Sequence, residues 1–233
     1  MKKSELNWSE YTAVFGGTFD PPHVGHRIAA FELFKNPGFG RVKIIPAAIP
    51  PLKQTETPTA HRLEMVKRTF SPEVGEPREI EIDTREIDRS MSGKPSYTFD
   101  TLSELKATGL RFAFVLGTDQ LESLPKWHRF PELLSLCPWV VLERKPDASA
   151  RIEKMLKELE ASGILRRLAD RKFSLPGNQL LFQIPTPAPE LNSTEIRREI
   201  ALKGKSAPGQ IVPSVESYLR EQALYGIRPS LEN

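Results

Sequence analysis

Residues Tyr11–Phe15 form a short apolar run that empties into Gly16-Gly17, and from Val24 to Phe34 the apolar positions Ile28, Ala29, Phe31 and Phe34 recur at helical spacing. A strand that passes through a glycine turn straight into a helix belongs to few architectures. The pattern then repeats. Val42–Ile45 is a β-branched run closed by Pro46, Thr59–Phe70 reads as a helix with Leu63, Val66 and Phe70 inward, and Glu79–Ile82 alternates apolar with charged residues. A helix around Phe99–Ala107 follows, then apolar strand runs at Phe112–Leu116 (stopped by Gly117), Trp139–Leu142 and Leu180–Ile184. Strands alternating with helices predict an α/β chain built on a mostly parallel sheet with flanking helices. Ligands bind such sheets beyond the carboxyl ends of the strands, so the turns after Phe15, Ile45, Leu116 and Ile184 are expected to converge on one crevice. Ser149–Leu168 reads as one or two helices, from Ile152, Met155, Leu156 and Leu159, then Ile164, Leu165 and Leu168. That segment is expected to be a packed surface helix, with a homo-oligomer contact as the alternative.

Composition narrows the function classes. The 33 basic and 30 acidic residues leave a net charge of +3 over 233 residues, and no basic run is interleaved with aromatic residues. This weak field does not suit nucleic acid and is compatible with a small anionic ligand. The single cysteine, Cys137, excludes an intrachain disulfide framework and a cysteine-rich zinc site, and its apolar setting predicts a buried thiol. No stretch approaches the length of a membrane span and no apolar run follows the first lysines, so a cytoplasmic protein without membrane partners is expected. The 21 prolines cluster at Pro21-Pro22, between Pro46 and Pro58, and at Pro185–Pro189, which predicts rigid connections and one domain over residues 1–233.

The chemistry-bearing string is Gly16-Gly17-Thr18-Phe19-Asp20-Pro21-Pro22-His23-Val24-Gly25-His26. Glycines let a backbone approach a phosphate closely, and helix N-terminal amides supply anion donors. His23 and His26 lie one helical turn apart at the helix start. They can be read as phosphate donors, as structural histidines, or as metal ligands with Asp20. The absence of further ligands nearby, and of an HExxH motif, weighs against metal. The string is neither a Walker loop nor GxGxxG.

This string resembles the HxGH nucleotidylyltransferase superfamily, whose members transfer a nucleoside monophosphate from a triphosphate and release pyrophosphate. Ile45-Pro46 with Pro50-Pro51-Leu52-Lys53, Ser96-Tyr97-Thr98-Phe99-Asp100-Thr101-Leu102, Gly117-Thr118-Asp119 followed by Trp127, and Asn192-Ser193-Thr194-Glu195-Ile196-Arg197 narrow the likeness. Together they resemble the bacterial nicotinate-nucleotide adenylyltransferase family from about Thr12 to Tyr225. Leu52 stands where that family usually has histidine, and Asn192 where it usually has serine. The Arg144–Asn178 stretch matches none of its motifs.

The resemblance implies a Rossmann-like nucleotidylyltransferase fold with a small helical carboxyl-terminal portion, at about 193–226, and AMP transfer from ATP to nicotinate mononucleotide with Mg²⁺ carried by the ATP phosphates. It implies His23, His26 and Arg197 as catalytic residues. Gly16, Gly17, Thr18, Phe19, His23, His26, Asp119, Ser193, Thr194 and Arg197 would bind ATP, and Lys53, Tyr97, Thr98 and Trp127 the nicotinate mononucleotide. For Trp127 the alternatives are a stacking platform and an edge-of-core residue. Ser96-Tyr97-Thr98 is read as a helix cap, and Ser193 as a hydroxyl cap followed by a basic first turn. An acceptor phosphate already carries about −1.5 to −2 charges and needs no general base, so positioning and charge neutralisation suffice. That explains histidine, lysine, arginine and hydroxyls without a nucleophile–base pair. The other readings are a transferase acting on nicotinamide mononucleotide or phosphopantetheine, and a non-catalytic nucleotide sensor.

Overall fold

The computed structural model describes residues 6–72, 80–91, 93, 95–144 and 146–227. The first strand, β1 (Thr12–Gly17), is followed by α1 (Val24–Glu32), β2 (Arg41–Pro46), α2 (Thr59–Phe70), β3 (Ile80–Ile82), α3 (Arg85–Ser90) and α4 (Thr98–Ala107). Glu79, expected to open β3, lies outside the described residues. Then come β4 (Phe112–Gly117), α5 (Thr118–Ser123), β5 (Trp139–Glu143), α6 (Pro146–Ala161), β6 (Arg166–Ala169), β7 (Lys172–Ser174), β8 (Leu180–Pro185), α7 (Ser193–Lys203) and α8 (Pro213–Glu221).

The strands form one eight-stranded sheet ordered β3-β2-β1-β4-β5-β8-β7-β6. The six from β3 to β8 pair in parallel, and β7 and β6 continue antiparallel. Chain order reverses between β1 and β4, the place where α/β sheets open a crevice. Both faces are covered. Ala13 and Phe15 join one core with Ala29, Ala30, Val66 and Phe70 of α1 and α2. Val14, between them, joins the other with Leu102 and Leu105 of α4 and Leu156 of α6. This period-2 alternation explains why the parallel strands read as near-continuous apolar runs. Cys137 is buried, and burial pushes its thiol up to about 12.

The helical carboxyl-terminal portion is anchored through α2. Met65 packs with Ile196 and Ile200 of α7 and Val215 and Leu219 of α8. Among the described residues no helix is long and apolar enough to cross a membrane.

One expectation is overturned. The helical spacing at Ile164, Leu165 and Leu168 does not continue α6: Gly163 adopts φ +71, the left-handed conformation that ends helices, and Arg166–Ala169 becomes edge strand β6. Leu165 still reaches the core, but Leu168 is 40% exposed at the irregularity where the β6–β7 register shifts between Arg167 and Ala169. Over the Phe173 ring, the Arg167 guanidinium lies 4.5 Å from the centroid.

Candidate active site

The glycine turn and the histidine pair lie at the β1/β4 reversal. Gly17 has no room for a side chain, since a Cβ there would meet the Phe19 ring at 2.8 Å. Phe19 itself, at φ +51, is buried and turns its ring onto Phe15, His26 and Phe70. Gly25 permits a second close approach: a Cβ would meet the Pro189 carbonyl at 2.8 Å, and that contact draws the chain after β8 onto α1.

His23 is the N-cap of α1, and the two histidines cap reciprocally. The His26 N–H donates to His23 Nδ1 at 3.3 Å and the His23 N–H donates to His26 Nδ1 at 3.2 Å. The rings stack with centroids 3.6 Å apart. Because both Nδ1 atoms accept, a neutral ring carries its hydrogen on Nε2. Burial first, and then the Arg144 charge, lower His23 to about 3. Burial, with His23, Arg144 and Lys53, holds His26 well below the ordinary histidine range. Both rings are thus neutral donors at physiological pH. His23 is 2% exposed, whereas His26 is more open to the cavity.

That cavity, about 1260 Å³, is lined by Gly16–Phe19, His23, His26, Lys53, Tyr97, Thr98, Asp119, Trp127, Ser193, Thr194 and Arg197. Every site residue expected from the sequence therefore borders one space. Trp127 is half-buried, set edge-on to Phe114 at 6.1 Å, and its Nε1–H donates to Ser123 Oγ at 3.0 Å. It packs against the core, as the edge-of-core reading expects, and it also lines the cavity. On the same lining, Tyr97 stacks on His128 with ring centroids 4.3 Å apart.

Two capping expectations are corrected. Asn192, not Ser193, is the N-cap of α7, accepting from the Thr194 N–H at 2.8 Å. Asparagine caps about as well as serine, so Asn192 preserves the helix start. Ser193 instead donates to the Pro21 carbonyl at 2.9 Å. Similarly, Ser96 does not cap α4; its Oγ accepts from the Ala48 and Ile49 N–H groups at 3.2 and 3.1 Å.

Arg197 reaches back across the first turn, donating to the Asp20 carbonyl at 2.6 Å and to Glu56 Oε1 at 2.9 Å. The Asp20 carboxylate accepts from the Tyr225 hydroxyl at 2.6 Å and the Glu56 N–H at 3.1 Å. Those bonds engage both oxygens of the carboxylate.

Residues 14–199 match the cytidylyltransferase-like family. A probable nicotinate-nucleotide adenylyltransferase of Pseudomonas aeruginosa is 35% identical over 217 residues, covering 91% of this chain and 95% of that protein. One from Dehalococcoides mccartyi is 34% identical over 220 residues, covering 92% and 96%. The chain belongs to the nicotinate-nucleotide adenylyltransferase family. The fold agrees with the solved structure of Plasmodium falciparum nicotinic acid mononucleotide adenylyltransferase complexed with NaAD, at TM-score 0.70 and 17% identity over 94% of this chain and 98% of that one.

Two side chains of this adenylyltransferase-family cavity escaped the sequence reading. Arg144, directly after β5, lines the cavity with its Nε buried and without a hydrogen-bond partner. Burial lowers its pKa, opposed by the Asp119 and Glu190 carboxylates. Thr118, which opens α5 directly after β4, borders the same cavity and has a buried, unpartnered Oγ1. Unsatisfied buried polar groups are costly, so these two mark polar side chains held at the cavity border without internal partners. The available signal was positional: a basic residue just past the carboxyl end of a parallel strand.

Proposed function

We propose that this chain transfers the adenylyl group of ATP to nicotinate mononucleotide, forming nicotinate adenine dinucleotide and pyrophosphate in NAD biosynthesis. A phosphate oxygen of the mononucleotide attacks the α-phosphorus of ATP. The new P–O bond forms as the bond to the bridging oxygen breaks, and the electron pair leaves with pyrophosphate. The observation that carries this reading is the convergence, in one cavity at the sheet's reversal point, of a neutral histidine pair and cationic side chains with an aromatic acceptor wall.

The attacking group is already anionic, so the protein's work is placement and charge stabilisation. His26 donates Nε2–H to the phosphates as charge moves onto the leaving pyrophosphate, while His23 holds the helix start and orients His26. Arg197 and Arg144 neutralise the phosphate chain, with Ser193, Thr194 and the main chain of Gly16–Phe19 as neutral donors. Asp119, largely exposed past β4, accepts from the ATP ribose. Mg²⁺ arrives with ATP as part of the substrate. Carried by the ATP phosphates, the ion would add positive charge where the pyrophosphate departs.

On the acceptor side, Lys53 meets the mononucleotide phosphate, Tyr97 and Thr98 receive the nicotinate carboxylate, and Trp127 stacks on the pyridine ring. Stacking of a flat ring on an aromatic side chain contributes about 1–3 kcal/mol, or about 5–150-fold in affinity. Trp127→Ala is therefore expected to raise KM for nicotinate mononucleotide by that factor and leave KM for ATP nearly unchanged, with Trp127→Phe largely restoring it. Steady-state kinetics with each substrate varied in turn checks this; a rise confined to ATP would place Trp127 outside the acceptor subsite.

A further inference from the structure

Arg62, on α2, is fully buried yet forms no ion pair among the described residues. Its guanidinium binds main-chain carbonyls instead. It donates to Thr18 O at 2.9 Å, to Ala47 O, to Ala48 O at 2.7 Å and to Thr57 O at 3.2 Å, with Thr59 Oγ1 a further partner at 3.0 Å. Those carbonyls belong to segments that serve different halves of the cavity. Thr18 sits in the glycine turn on the ATP side. Ala47 and Ala48 leave β2 at the base of the loop that carries Lys53.

Peptide planarity extends the reach of this contact. In a trans peptide the carbonyl and the following N–H point in opposite directions. The peptides whose carbonyls Arg62 holds, Ala47–Ala48 and Ala48–Ile49, accordingly aim their N–H groups away from it, and both donate to Ser96 Oγ. Ser96 returns its own N–H to the Ile49 carbonyl at 2.9 Å. It immediately precedes Tyr97 and Thr98 on the acceptor wall. By the same geometry the Thr18–Phe19 peptide turns its N–H away from Arg62. One buried guanidinium thus ends two hydrogen-bonded chains, a single peptide to the ATP turn and two peptides plus Ser96 to the acceptor subsite.

We propose that Arg62 is a positioning residue that fixes the ATP turn and the acceptor loop relative to each other, and so sets the distance between the attacking phosphate and the α-phosphorus. Planar, forked and five-donor, a guanidinium can hold diverging carbonyls at once; a lysine ammonium has three donors on one point and cannot. Because Arg62 reaches neither substrate, each half-site keeps its own contacts when it is replaced. What changes is their separation, and a misplacement of about 1 Å can cost about 10²-fold in rate.

The inference rests on the adenylyl-transfer reading above, and the experiment separates the two. Pyrophosphate release by the unmodified chain with ATP and nicotinate mononucleotide tests that reading alone, and Arg62 is then assayed with whichever acceptor the unmodified chain adenylylates. Arg62→Lys is expected to lower kcat by about 10²-fold while KM for ATP and for the acceptor each stay within about threefold. Circular dichroism at the assay temperature should show a folded protein. A kcat near the unmodified value, a loss carried by the KM of one substrate, or a loss that merely follows the unfolded fraction would each overturn the proposal. If Arg62→Lys does not fold, Thr59→Ala removes one Arg62 partner at the first turn of α2. It should lower kcat by about 3–10-fold at constant KM; an unchanged kcat would again overturn it.

Discussion

His26→Ala is expected to lower turnover by about 10²–10³-fold, the usual effect of removing one donor aimed at charge that develops in a transition state. The ring is held for this task from both sides. Its Nδ1 is occupied by the His23 N–H and its face by the His23 ring, so Nε2–H is the free donor. Burial, with His23, Arg144 and Lys53, keeps it neutral, so in the proposed reaction it would meet the departing pyrophosphate as a hydrogen-bond donor, not as an acid. The substitution also deletes half of a reciprocal cap. That costs about 0.5–2 kcal/mol, or about 2–4 °C of Tm per kcal/mol in a chain of this size. Assays well below the melting range therefore separate chemistry from stability. Near-normal turnover in a folded His26→Ala protein would make the histidine structural.

Arg144→Met should reduce kcat/KM for ATP by about 10–150-fold, the equivalent of about 1.5–3 kcal/mol for a charged hydrogen-bonding partner. It carries a second signature that a merely structural arginine would not produce. Arg144 is the second cause, after burial, of the low His23 pKa. Its removal should raise that pKa from about 3 without restoring the ordinary value, since the larger cause remains. The linkage has a definite sign. An unfolded chain binds a proton at His23 below about 6.5 while the folded chain refuses it until about 3, so this group makes stability fall as pH falls through that window. Without Arg144 the window narrows, and the acid loss due to His23 shrinks. An NMR titration of the His23 ring measures the shift directly; an unmoved pKa together with normal ATP kinetics would remove Arg144 from the site.

Arg144 and Arg62 also mark where sequence reading stops. The strand–turn–helix at Gly16–His26 was legible because its parts are local: an apolar run, two glycines, and histidines one turn apart. The parallel strands were legible because strands covered on both faces leave uninterrupted apolar runs. β6 was not, since Ile164, Leu165 and Leu168 fit a helix, and only the hairpin of β6 with β7, itself held on β8, makes Arg166–Ala169 an edge. Ser193 and Ser96 look like caps in one dimension, yet the fold brings Pro21 to one and the Ala48 and Ile49 amides to the other. Arg62 gives no signal at all, because its partners are carbonyls, which every residue possesses.

The most direct measurement of the central claim is product formation from ATP and Mg²⁺ with nicotinate mononucleotide, nicotinamide mononucleotide and phosphopantetheine offered separately. Mass spectrometry identifies the adduct, and an enzyme-coupled assay counts pyrophosphate. The account predicts nicotinate adenine dinucleotide and pyrophosphate in equal amounts, with the highest kcat/KM on nicotinate mononucleotide. Adenylylation of phosphopantetheine alone, or tight ATP binding without pyrophosphate from any acceptor, would contradict it.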